Sequence, residues 1–139
     1  MKKTVFANIK EEILRNLNNA TQEVNAMLAW FTDRDISEAL IDLAKNEINI
    51  SIILSNSEWN ILNKDNLEEL IKHSAQIRTF GSKTPDGGDF MHRKMCIIDN
   101  KIVMNGAYNW TKNASMNIED YSINRDEEDA ADCMKEFNK

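Results

Sequence analysis

Two histidines, two cysteines, one proline and four glycines are all that this chain of 139 residues holds of those four types. Cys96 lies in an apolar run and Cys133 in a helical pattern, and no CxxC or Cys/His ligand spacing joins them, so both read as reduced thiols rather than metal ligands. There is no internal repeat, low-complexity tract or interdomain linker. No stretch approaches the roughly 20 apolar residues of a membrane span. The basic start Met1-Lys2-Lys3 runs into Ala7-Asn8-Ile9-Lys10-Glu11-Glu12, which breaks off any apolar core of a signal peptide. With 42% hydrophobic and 29% charged residues the chain is too apolar for disorder, and its length suits one domain spanning residues 1–139. A cytoplasmic location without stable membrane insertion is the expectation.

Positive charge is also short. The formal net charge of −6 argues against a protein held to nucleic acid or anionic membrane by bulk electrostatics. The balance is uneven, however. Residues 1–71 hold 7 basic and 12 acidic side chains, residues 72–112 hold 7 and 3, and residues 113–139 hold 3 and 8, giving −5, +4 and −5. A locally basic middle in an acidic chain is read either as a pocket for anions or as a fluctuation on a solvated surface.

What is present has α/β periodicity. Ile9 to Ala20 carries Ile9, Ile13, Leu14 and Leu17 at helical spacing, and Glu23 to Phe31 is an apolar-rich strand. Thr32-Asp33-Arg34-Asp35 offers caps for a helix over Ile36 to Lys45, and the β-branched run Ile48 to Leu54 reads as a second core strand, making a βαβ unit. A helix over Asn66 to Ser74, a short strand over Gln76 to Phe80 and a loop over Gly81 to Gly88 follow. Met91 to Ile98 and Lys101 to Met104 read as strands joined by a tight turn at Asp99-Asn100, since both residues tolerate positive φ. A strand near Tyr121 to Ile123 and a helix over Glu127 to Phe137 close the chain. The expected fold is α/β, a mixed β-sheet flanked by helices on both faces.

Two short segments carry chemistry. His92-Arg93-Lys94-Met95-Cys96-Ile97-Ile98-Asp99 spells H-x-K-x4-D, and Gly106-Ala107-Tyr108-Asn109 follows as G-[S/A]-x-N. With Asn117-Ile118-Glu119 downstream and the strand-helix-strand pattern upstream, the chain resembles the phospholipase D-like superfamily along nearly its whole length, specifically its single-motif, endonuclease-like branch. Ala107 stands where that family most often has serine. The resemblance implies a phospholipase D-like sandwich and a phosphodiester hydrolase.

The residue types fit such a reaction. Alternate residues of a strand share a face, so His92 and Lys94 would stand side by side. Lys94 can neutralise a non-bridging phosphate oxygen and Asn109 can donate an amide N–H to another, both favouring the pentacoordinate state. His92 would attack phosphorus and form a phosphohistidine. Glu119 is the candidate to hold the second ring nitrogen of His92. Asp99, seven residues after His92, is read either as a hairpin residue or as a direct partner of the imidazole, the turn being favoured. Arg93 is either a rim phosphate contact or a surface charge. Tyr108 and Trp110 either stack on a base or pack. The acidic run Asp126-Glu127-Glu128-Asp129 reads as a helix start and not a metal site, so neither metal nor cofactor is expected.

Such a mechanism needs a second imidazole to protonate the leaving oxygen. His73, in a helix with Lys72 beside it but with alanine, not lysine, two residues on and no G-[S/A]-x-N turn downstream, reads as an ordinary surface or packing residue. The second histidine is therefore expected from another copy of the chain, in a homodimer with an isologous interface, as in single-motif members of the family. Nucleic acid is the expected substrate. The rivals are a phosphatidyl hydrolase and a catalytically silent nucleic-acid-binding module, and a fused or associated targeting domain would decide between targets.

Overall fold

The computed structural model describes residues 1–56, 58–80, 93–111 and 120–139. They form one seven-stranded mixed sheet in the order β1-β7-β6-β5-β2-β3-β4. In chain order the elements are β1 (Lys2–Val5), α1 (Ile9–Asn18), β2 (Glu23–Leu28), α2 (Arg34–Lys45), β3 (Asn49–Ser55), a 3-10 helix (Glu58–Asn63), α3 (Lys64–Lys72), β4 (Gln76–Phe80), β5 (Lys94–Ile98), β6 (Ile102–Gly106), β7 (Tyr121–Arg125) and α4 (Glu127–Phe137).

β2, β3 and β4 run parallel, linked by the crossover helices α2 and α3, whereas β5 joins β2 antiparallel and continues through β6 and β7 to β1. Parallel neighbours need a long crossover and antiparallel ones a short turn. That turn is Asp99-Asn100, with φ of 54° and 55°, closed by the Lys101 N–H donating to the Ile98 carbonyl at 3.0 Å. The expected hairpin is therefore present.

Alternation along the central strands sorts side chains between two cores. Val24, Ala26, Leu28, Ile52, Leu54, Cys96 and Ile98 pack with α1, α2 and α3 on one face. Met27, Ile53, Met95, Ile97 and Val103 pack with Ala130 and Phe137 of α4 on the other. Helices thus cover both faces, as expected. Asp33 caps α2, its carboxylate accepting from the Ile36 N–H at 2.9 Å. Asp126 caps α4 by accepting from the N–H groups of Glu128 and Asp129, and the acidic run fills the first turn, where the helix dipole favours negative charge. The sequence reading did not include β1 or the 3-10 helix.

Candidate active site

Among the described residues, one end of the sheet brings Lys94 and Asn109 together. Lys94 opens β5 opposite Leu28, the last residue of β2. On the other side Met95 pairs with Asn105, so the next step of the ladder brings Lys94 level with Gly106, the end of β6. Lys94 is 9% exposed and lies on the face it shares with Cys96 and Ile98. Its Nζ stands 6.0 Å from the centroid of the Trp30 ring, a cation–π contact on a half-buried indole.

Asn109 reaches the same end by a different route. β6 finishes at Gly106, and a Cβ there would meet the Asp120 carbonyl at 2.7 Å and the Tyr121 Cα at 3.1 Å. Only glycine lets β7 start so close. Beyond it, Tyr108 is buried edge-on against Tyr121 at 6.2 Å and Trp110 is fully buried edge-on against Phe31 at 6.0 Å. The Trp110 carbonyl accepts from the N–H groups of Thr32 and Asp33 at 2.8 and 2.9 Å. Asn109 is thus slung between the ends of β6 and β2 by two aromatic anchors. Its Oδ1 is buried and finds no hydrogen-bond partner among the described residues.

The support beneath this end is polar and long-range. Asn60 of the 3-10 helix accepts from the Phe31 N–H at 2.8 Å and donates to the carbonyls of Ala29 at 3.2 Å and Ser55 at 3.0 Å. The Ser55 hydroxyl also donates to the Ala29 carbonyl. These bonds fix the segment that carries Trp30. Asp33 is 2% exposed and pairs with Lys10 of α1 at 3.0 Å, while Asp35 meets the same ammonium at 2.7 Å. The Asp35 hydrogen bond leads in holding the Lys10 ammonium well above the usual lysine range, against the effect of burial.

Several expectations change. Asp99 sits at the far end of β5 from Lys94, and its carboxylate accepts from the backbone N–H groups of Thr21 at 2.9 Å, Gln22 at 2.7 Å and Glu23 at 2.9 Å. Burial raises its pKa, but the N–H groups of Glu23, Thr21 and Gln22 outweigh that and hold the carboxyl below the usual range. The turn reading of Asp99 therefore replaces the catalytic one. For Arg93 the surface-charge reading replaces the phosphate contact: it lies on the α4 face, opposite to Lys94, with its guanidinium 2.7 Å from Glu136. Trp110 is a core residue, so its placement among substrate contacts is withdrawn, because an indole with no exposed surface offers no face for stacking. His73 ends α3 at the opposite end of the sheet, 3.1 Å from Glu69. His92, Asn117 and Glu119 lie outside the described residues, as does the loop over 81–88. Sequence reasoning missed Trp30 and Asn60, whose contacts with Lys94 and with Ala29 and Phe31 span about 30 residues or more and leave no local signature.

Comparison with known proteins adds an independent line. The family model described as cardiolipin synthase, PLD-like domain, matches residues 13–139. A mitochondrial cardiolipin hydrolase of Chlamydomonas reinhardtii is 27% identical over 124 residues, which are 88% of this chain and 53% of that protein. The chain thus spans about half the length of this curated relative. Among solved structures, NucT from Helicobacter pylori superposes with a TM-score of 0.84 at 26% identity, covering 99% of this chain and 93% of that one. Nuc from Salmonella typhimurium, a phospholipase D family member, superposes with a TM-score of 0.84 at 21% identity, covering 99% and 91%. With the fold, the position of Lys94 and the family match in agreement, the chain belongs to the PLD-like domain family of the phospholipase D-like superfamily.

Proposed function

We propose that this chain is a phosphodiesterase that works without a metal ion, and that its substrate is nucleic acid. The observation that carries the reading is the buried ammonium of Lys94 at the start of β5, level with the glycine turn from which Asn109 hangs. A buried cation and a half-buried amide at the same end of the sheet suit the non-bridging oxygens of a phosphodiester. Both groups gain strength as those oxygens gather charge in the transition state.

In this reading a ring nitrogen of His92 attacks phosphorus and the P–O bond to the leaving group breaks, giving a phosphohistidine. The leaving oxygen takes its proton from the His92 of a second copy, which then draws a proton from water as that water releases the phosphate. Glu119 orients the nucleophilic ring. Lys94 and Asn109 hold the phosphate throughout. Two copies of the chain make one reaction centre, in the cytoplasm.

The nuclease reading is favoured by the single H-x-K-x4-D motif of the chain, since the lipid-cleaving members that the resemblance brings in usually carry two. A phosphatidyl hydrolase is the second reading, and the name of the curated relative, a cardiolipin hydrolase, favours it. No helix among the described residues is long and apolar enough to cross a membrane. Parallel cleavage assays on single-stranded DNA, RNA and cardiolipin vesicles, all with EDTA, separate the readings. Cleavage of a nucleic acid with chelator present is the expected result. Cleavage of cardiolipin alone would transfer the function to lipid, and loss of all cleavage with EDTA, restored by magnesium, would overturn the metal-independent mechanism.

A further inference from the structure

The sheet face beneath α4 changes character from one end to the other. Near Lys94 it is apolar, with Met27, Ile53 and Met95 packed under the helix, and Ile97 carries the apolar patch into the row of Asn25 on the β5 side. Toward the start of β2 it turns polar. Asn25 pairs with Ser51 in the β2–β3 register and Ser51 pairs with Gln76 in the β3–β4 register, so three polar side chains form one row across three strands. Arg78, two residues after Gln76 and hence on the same face, stands in the next row beside the end of α4. These four residues, with Phe137 and Glu23, line a cavity of about 430 Å³.

Asn25 is the floor of this trough. It is 7% exposed, and its Nδ2 has no hydrogen-bond partner among the described residues. Buried amide donors are nearly always paired, and this one sits just under the trough floor with no accessible surface of its own, so a ligand's acceptor reaches it by a small shift of the floor. Arg78 supplies the positive charge: its guanidinium lies 6.0 Å over the Phe137 ring and donates one hydrogen bond, at 3.3 Å, to the Phe137 carbonyl. A guanidinium carries five N–H donors, so most are left for another partner. The one carboxylate on the lining, Glu23, accepts from the Asn100 amide at 2.6 Å and is thereby engaged at the β5–β6 turn.

We propose that this trough binds a small ligand bearing an oxyanion, a carboxylate or a phosphate, whose charged group meets Asn25 and Arg78. The volume falls in the usual range for small-molecule sites, roughly 300 to 1,000 Å³, which suits an organic body behind the anionic group better than a bare ion. The site lies on the opposite face of the sheet from Lys94 and does not depend on the proposed reaction.

The test titrates succinate and inorganic phosphate, at constant ionic strength, into protein carrying Lys94→Gln, which removes the other candidate anion site. Nitrogen-15 NMR follows the Asn25 side-chain amide and the Arg78 Nε–H. Saturable shifts of both signals are expected. A response to succinate alone assigns a carboxylate, one to phosphate alone assigns a phosphate, and a response to neither overturns the proposal. Arg78→Gln, at an exposed position, is expected to weaken binding at least tenfold; unchanged affinity in that variant would also overturn it. Asn25→Leu is expected to abolish binding and, without ligand, to unfold at the same temperature as the parent or higher, because it deletes an unpaired buried donor. A clear drop in its unfolding temperature would mean that the fold itself satisfies Asn25.

Discussion

Lys94 and Asp99 lie five residues apart on one strand and its turn, yet burial and bonding give them opposite tasks. Lys94 carries a buried charge at the end of the sheet, so its removal is expected to slow diester turnover while leaving the fold in place. Lys94→Ala and Asn109→Ala should each lower kcat by about 10² to 10³, the cost of deleting one donor to a developing oxyanion. Single-turnover rates beside urea melts check this, and wild-type rates in both variants would move the phosphate site elsewhere. Asp99 instead ties the hairpin to the start of β2 through three backbone N–H groups and the Thr21 hydroxyl. Its folded pKa lies below the ordinary value near 3.9, so its contribution is fully present above that pH and fades as pH falls through the depressed value. Asp99→Asn should therefore cost about 1 to 2 kcal/mol at pH 7, allowing for partial exposure, and show a shallower loss of stability in acid with turnover retained. An equal acid profile in variant and parent would refute the linkage.

At the scale of elements, the G-[S/A]-x-N turn is a piece of packing before it is a site. Gly106→Ala would press a methyl group against the Asp120 carbonyl, at 2.7 Å, and against Tyr121. Either β7 shifts or the turn does, at about 1 to 3 kcal/mol. Since Asn109 hangs from that turn, turnover should fall together with stability, unlike in the Lys94 variant; full activity in a destabilised Gly106→Ala protein would separate Asn109 from the site. Much of this level was legible in the sequence. The paired positive-φ residues Asp99 and Asn100 and the acidic first turn of α4 are local signals, and that turn and that helix formed where they were read. β1 escaped because Lys2–Val5 is a mostly polar segment with one buried residue, and only its ladder with β7 makes it a strand. Trp110 and Arg93 were left with two readings each, and only the long-range contacts with Phe31 and Glu136 decide for packing and for a surface ion pair. The site was half legible: the spacing that singled out Lys94 and Asn109 is local, whereas the Asn60 clamp and the Trp30 contact exist only once distant strands are in register.

For the whole molecule the decisive question is how many copies make one reaction centre. In the proposed reaction one motif supplies one nucleophilic imidazole, and His73 sits at the wrong end of the sheet to supply the proton. A heterodimer of wild type and His92→Ala should then be nearly inactive, although half its chains are intact. About half of the wild-type activity in the purified mixed species, or sedimentation of the turning-over wild type as a monomer, would defeat the shared centre.

The ladder between β1 and β7 bears on how the chain reaches this state. The Met1 amino group donates to the Arg125 carbonyl at 3.0 Å across 124 positions, and the central pairing of β2 with β5 also awaits residues some 70 positions later. Loops of that size must close before their contacts return any stability, which places such a topology among slow folders. During synthesis β1 is made first and seated last. Until Tyr121–Arg125 has emerged, the apolar edge meant for the later strands is open to other nascent chains. Folding in the cell is thus a race between translation and association, and a pause before β7 would favour the wrong partner.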